Sequence, residues 1–164
     1  MTSCDDDETL TITTLSVTKF QGGKEKKMAS VNKVDVALTA TMKGAKDIEI
    51  KGPTTFQTLG VDTGAWIFNF TLDDQTGKGV RFKALDAMDG SKACPASGTG
   101  NQSKLIVGEH VEPQDPKQAH FTDNNNNKAK DGVVDVSFQW NFTCDDSNIT
   151  VQPYDPVVPN GGKT

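Results

Sequence analysis

Several things are scarce in this chain of 164 residues, and each scarcity removes a class of protein. No apolar run approaches the ~20 residues of a membrane-crossing helix, and none resembles the core of a signal peptide. As written, the chain therefore reads as soluble and cytoplasmic. Histidine is limited to His110 and His120. A serine or cysteine nucleophile needs a neighbouring base, usually histidine, so no catalytic residue is assigned and the chain is expected not to be an enzyme. Cysteine occurs three times, at Cys4, Cys94 and Cys144, with no C-x-x-C pair, which removes zinc-ribbon and thioredoxin-like chemistry. Cationic excess is also missing: 17 basic against 22 acidic side chains give a formal net charge of -5. Phosphate binding needs a cationic patch, so nucleic acid is not an expected partner. The densest basic run, Lys24-Glu25-Lys26-Lys27, follows Gly22-Gly23 and reads as a solvated turn. Finally, no segment carries a helical period over three turns, which excludes a doubly wound α/β fold.

What is present is alternation. From Gly132 to Cys144 the chain reads GVVDVSFQWNFTC, with Val134, Val136, Phe138, Trp140 and Phe142 on every second residue. Asp135, Ser137, Gln139 and Asn141 fill the gaps. Strand side chains alternate faces, so this is one long strand with an apolar face on the core and a polar face in water. Val34, Val36, Leu38 and Ala40 repeat the pattern, as do Trp66, Phe68, Phe70 and Leu72.

Around these three strands the rest of the chain falls into shorter pieces. Leu10, Ile12, Leu15, Val17 and Phe20 change parity near Thr13-Thr14, which suggests a bulge in one strand. Ile48 and Ile50 form a short strand closed by Gly52-Pro53, and Phe56 with Leu59 another. Asp73 to Gly79 is a turn, so Ala65–Leu72 and Val80–Leu85 read as a β-hairpin. Asp86 to Ser103 is the longest loop, and Leu105-Ile106-Val107 a short strand. Glu109 to Lys117 has two prolines and no pattern. Ala119 and Phe121 end a strand at the asparagine tract 124–127, which is a turn by composition. Ile149 and Val151 begin a last strand. Pro153, Pro156 and Pro159 then forbid a central ladder, leaving Gln152 to Thr164 as an extended tail.

The expected fold is all-β: a single-domain antiparallel β-sandwich, with a closed antiparallel barrel as the alternative. Its parts are an acidic segment 1–9 read as disordered, the sandwich 10–152 and the tail 153–164. The inner faces should carry Val34, Val36, Leu38, Trp66, Phe68, Phe70, Val136, Phe138, Trp140 and Phe142.

Chemistry is sparse. His110 and Glu112 share one side of an extended chain, a pair that could hold a metal or relay a proton but lacks a third ligand, while His120 reads as exposed. Asp123, Asn125 and Asn127 imitate the opening of an EF-hand loop, which then fails at Lys128 and Val134. A looser cation site from Asp123, Asn125 and Asp131 competes with the plainer role of an asparagine turn. No metal or cofactor is assigned. Four N-x-S/T sequons occur, at Asn69, Asn101, Asn141 and Asn148, two of them inside strands where acceptors are rare. Cys4 before an acidic spacer resembles the junction of an exported bacterial lipoprotein whose signal has been removed. Cys94 and Cys144 could then form a disulfide, or all three could be free thiols.

Two functions fit. The first is a non-enzymatic binding or recognition module holding an unknown ligand or protein on Asp86–Ser103 and Glu109–Lys117. The alternative is a structural subunit forming a homo-oligomer through an edge strand or its C-terminal tail, where Tyr154, Val157 and Val158 are the apolar groups.

Overall fold

The computed structural model describes residues 9–10, 13–15, 18–21, 24–27, 31–88, 105–128 and 132–164. In chain order the strands are β1 (Thr9–Leu10), β2 (Thr13–Leu15), β3 (Thr18–Gln21), β4 (Lys24–Lys27), β5 (Val31–Met42), β6 (Asp47–Lys51) and β7 (Thr55–Phe56). They continue with β8 (Trp66–Asp74), β9 (Arg81–Met88), β10 (Ile106–Val111), β11 (Gln118–Asp123), β12 (Val134–Thr143), β13 (Thr150–Val151) and β14 (Val157–Asn160). Among the described residues there is no helix, and so none long and apolar enough to cross a membrane.

Two sheets pack face to face, as expected of a sandwich. One has the order β1-β7-β14-β12-β9; the other runs β10-β11-β8-β5-β6-β13, with β2 pairing β5. Neither sheet closes on itself, so the barrel alternative does not hold. The three alternating segments supply the core as expected: Val34, Val36, Leu38, Phe68, Phe70, Val136, Phe138 and Trp140 are all buried. Their rings lock the layers together. Phe121 of β11 meets Phe138 of β12 with centroids 4.7 Å apart, and Phe70 of β8 meets Trp140 edge-on at 5.6 Å. Edge-to-face contacts of this kind add to the area that the rings bury.

The pairing departs from a purely antiparallel scheme. β5 and β8 run parallel, with Val34 opposite Phe68, Val36 opposite Phe70 and Leu38 opposite Leu72. Parallel neighbours need a crossover. Here β6 turns back beside β5, and β7 visits the other sheet before β8 returns. A half-buried strand shows the same alternation beside a parallel or an antiparallel neighbour, which is why alternation alone suggests an antiparallel sheet throughout.

Three local expectations are corrected in the same way. β8 and β9 are not a hairpin: β8 pairs with β11 and β5, whereas β9 pairs with β12 in the facing sheet. The 73–79 turn is therefore an arch across the core. Asp74 holds it, accepting from Thr76 N and Oγ1 and from Val80 N at 2.6–3.0 Å. Burial pushes the Asp74 carboxyl up, but these hydrogen bonds outweigh it and the net shift is downward. The N-terminal parity change is not a bulge in one strand. β1 pairs with β7 in one sheet and β2 with β5 in the other, so the chain changes sheet where the parity changes. The lysine run is not a turn either, because β4 pairs with β3 along its whole length.

The tail is the fourth correction. Val157–Asn160 lies inside the five-stranded sheet, between β12 and β7, with Val158 opposite Val136 and Val157 opposite Ser137. Pro159 is tolerated there for a geometric reason. Its carbonyl accepts from Leu59 N at 2.8 Å, so its missing N–H faces the side where β7 has already ended, not the β12 ladder. Tyr154, Val157 and Val158 are buried in this chain's own core, and Tyr154 Oη donates to the carbonyl of Pro53. The outer face of β12 is also less wet than expected, since Ser137 is buried and Gln139 and Asn141 are half-buried between neighbouring strands.

Candidate functional site

Two places concentrate polar groups. The first lies where the sheets' last strands meet. β9 ends one sheet and β10 ends the other, and the two run side by side. Between them is a groove of about 290 Å³, lined by Lys83, Ala84 and Leu85 of β9, by Glu109, His110 and Val111 of β10, and by Trp140 of β12.

Residues 109–111 show no alternating pattern, yet they extend β10. The cause is Gly108, whose φ of 65° sits at a register shift between Val107 and His110. A β-bulge inserts a residue and re-aims the strand beyond it. After the shift His110 pairs directly with His120 of β11. Their ring centroids are 5.1 Å apart and the rings are inclined at 41°. Glu112 lies beside both: Oε2 is 3.6 Å from His110 Nε2, and Oε1 is 3.6 Å from His120 Nδ1. All three side chains are roughly half exposed, at 48, 43 and 37% for His110, Glu112 and His120. The partner that the His110–Glu112 pair lacked is thus His120, brought in by strand register. The two histidines stand ten positions apart, and only a hairpin placed around Glu112–Lys117 would have foretold their meeting.

The second place is the asparagine tract. Asp123 is fully buried; its Oδ1 accepts from Asn125 N at 3.0 Å and from Asn160 Nδ2 at 2.6 Å. Asp123 Oδ2, Asn127 Oδ1 and Asn160 Oδ1 are buried without a hydrogen-bond partner. Burial raises the Asp123 pKa to about 7, against the lowering effect of the bonds from Asn125 and Asn160. Asn125, at φ 47°, donates through Nδ2 to Gly60 O and accepts from Gly162 N at 2.9 Å each. Nearby, Asp62 Oδ1 and Oδ2 accept from Thr164 N and Oγ1, and these bonds hold the Asp62 carboxyl below its usual range. A cavity of about 220 Å³ adjoins, lined in part by Asp62, Asn125, Gly162 and Lys163. The looser cation site is not assembled from the residues expected: the Asn125 amide is spent on Gly60 and Gly162, and Asp131 lies outside the described residues. The tract is instead the fastening of the C-terminal strand.

Cys144 is a free thiol that donates to Asp146 O at 3.3 Å, and the partner expected for it, Cys94, is not among the described residues. Cys4, Cys94, the sequon at Asn101 and most of the Asp86–Ser103 loop lie outside the described residues. A scan against protein-family models found no match, and neither did a search of curated proteins.

Proposed function

We propose that the chain is a non-enzymatic recognition module that takes an extended polypeptide segment into the groove between β9 and β10. The observation that carries this reading is the groove itself, about 290 Å³ between two strands that each end a sheet. Strand ends of a sheet present backbone donors and acceptors that an added strand can satisfy, while pockets for alternate side chains supply selectivity. Lys83 and Glu109 place one charge of each sign along the groove, which suits a peptide backbone flanked by polar side chains. The net charge of -5 argues against nucleic acid as the occupant.

A second copy of the chain is the other reading, because the same strand ends could pair between two molecules. Half-exposed Val107 on β10 favours it. Burial of Tyr154, Val157 and Val158 in this chain's own core speaks against the C-terminal tail as the docking element.

Ala84→Arg tests both. Ala84 is exposed on the groove wall, so arginine fills the groove without entering the core. A biotinylated library of random heptapeptides should be captured by the native chain and not by the variant, at an unchanged melting temperature. Equal capture by the two proteins, or none by either, overturns the peptide reading. A dimer in sedimentation that Ala84→Arg reduces to monomer would establish the self-pairing one.

A further inference from the structure

We propose that Asp123 is a proton-operated clasp for the end of the chain. With its proton it holds residues 160–164 in place; on losing it, it lets them go while the sandwich stays folded. The inference is independent of what the groove binds.

The sequence makes this end easy to detach. Asn160-Gly161-Gly162-Lys163-Thr164 follows the apolar residues of β14 and has none of its own. Two glycines let the chain lie close to its neighbours. A Cβ at Gly161 would meet Leu59 O, and one at Gly162, where φ is 86°, would meet Asn127 O. Backbone hydrogen bonds then do the holding. Gly161 N donates to Leu59 O and Lys163 N to Asn127 O at 2.7 Å each, and Gly162 O accepts from Asp62 N at 2.9 Å. A segment held by hydrogen bonds without apolar burial opens at a lower free energy than the core beside it. Buried Val157 and Val158 keep β14 seated when it does.

Asp123 sits where this end meets the asparagine tract. It closes β11 opposite Ile106 of β10 and Trp66 of β8, so neither neighbouring strand sets a charge against it. From β14 it meets Asn160. Charged groups on the flanking segments are Asp62, Lys128 and Lys163. Asp62 is committed to Thr164, and its lowered pKa keeps it ionised above pH 4. Lys128 and Lys163 are exposed, and only the bonds from Asn125 and Asn160 work against the burial of Asp123.

Three oxygens here are buried without a donor: Asp123 Oδ2, Asn127 Oδ1 and Asn160 Oδ1. Asp123 Oδ1, by contrast, accepts twice. One proton on Oδ2 turns an acceptor into the donor that the cluster is short of. A carboxyl and a primary amide joined by one N–H···O bond can add an O–H···O bond between their other oxygens, and Asn160 supplies that second oxygen. Ionisation removes this donor and leaves a buried charge, which is costly until water reaches it. Moving Asn160 away admits water, and the proton passes to it. A pKa of about 7 in the closed form, against about 4 in water, gives the direction. The closed form is favoured most below pH 4. From there to pH 7 the open form gains about tenfold per pH unit, and above that nothing more.

Hydrogen exchange followed by NMR on the whole chain tests the proposal, each rate being divided by its intrinsic value at that pH. The amides of Gly161, Gly162 and Lys163 should be less protected than those of Trp140 and Tyr154, which bond each other's carbonyls in the core. Protection at the three end amides should fall roughly a thousandfold between pH 4 and 7 and then level off. Asp123→Asn keeps an oxygen for both donors, and should hold the end with no such slope. If the end amides exchange only together with Trp140 and Tyr154, no separate opening exists and the proposal is overturned. An unchanged slope in Asp123→Asn overturns it too, because another group would then be titrating. Should that variant not fold, the carboxyl carbon of Asp123 in the native chain decides. A titration midpoint near 7 supports the clasp, and one near 4 overturns it.

Discussion

Asp123 shows most clearly what burial does to one side chain. A carboxyl with no exposed surface, two donors on one oxygen and none on the other is easier to bury neutral than charged. Its pKa is raised to about 7, so the folded state holds a proton that the unfolded chain releases near 4. The stability this brings is fully present below pH 4. It is lost as pH rises from about 4 to about 7, and nothing more is lost above that. At about 1.4 kcal/mol per pH unit the total is on the order of 4 kcal/mol. Asp123→Asn keeps an oxygen for Asn125 N and Asn160 Nδ2, and should flatten stability against pH over that window in denaturant melts. A variant with the same pH slope as the native chain would show that Asp123 is not the group titrating. None of this was legible in the sequence, where Asp123 opened an asparagine tract and looked like a surface turn. Its buried hydrogen-bond partner Asn160 lies 37 residues away.

At the scale of elements, β14 is the strand that the sequence argued against. Three prolines between Gln152 and Thr164 suggested a segment outside the ladder, and the argument from proline was sound for a strand paired on both sides. β14 escapes it because β7 spans only Thr55–Phe56, leaving the Pro159 side without a regular partner. Its other side pairs with β12 from Val134 to Ser137. Removing residues 157–164 should therefore unfold the domain or lower its stability by roughly 3–6 kcal/mol, from the lost burial of Val157 and Val158 alone. Removing only Lys163 and Thr164, both exposed, should cost less than about 1 kcal/mol. Equal thermal melts for the two truncations would mean that β14 is not part of the core. β10 is the opposite case. Its apolar start at Ile106-Val107 was visible, but the glycine bulge that carries it on to His110 was not.

The molecule as a whole is held by pairings between distant parts of the chain: β5 with β8, β9 with β12, β1 with β7 and β12 with β14. Loop closure must precede most of these contacts, so refolding should take milliseconds to seconds, as for other all-β domains. Stopped-flow tryptophan fluorescence after dilution from denaturant checks this, with Trp66 and Trp140 both buried as reporters. A dominant microsecond phase that recovers native fluorescence would contradict the topology. By itself the sequence determined the strands and the faces they bury. Period-two alternation in 34–40, 66–72 and 134–142 has only one solution, an apolar face turned to a shared core. Tertiary structure alone decided which strands are neighbours, whether they run parallel, and that an arch rather than a hairpin follows Asp74. It also decided that His120 meets His110 and Glu112. The physical reason is that alternation records which face is wet and which is dry, a property of one strand. Register, direction and partner are properties of pairs, fixed by backbone hydrogen bonds that every residue type can make.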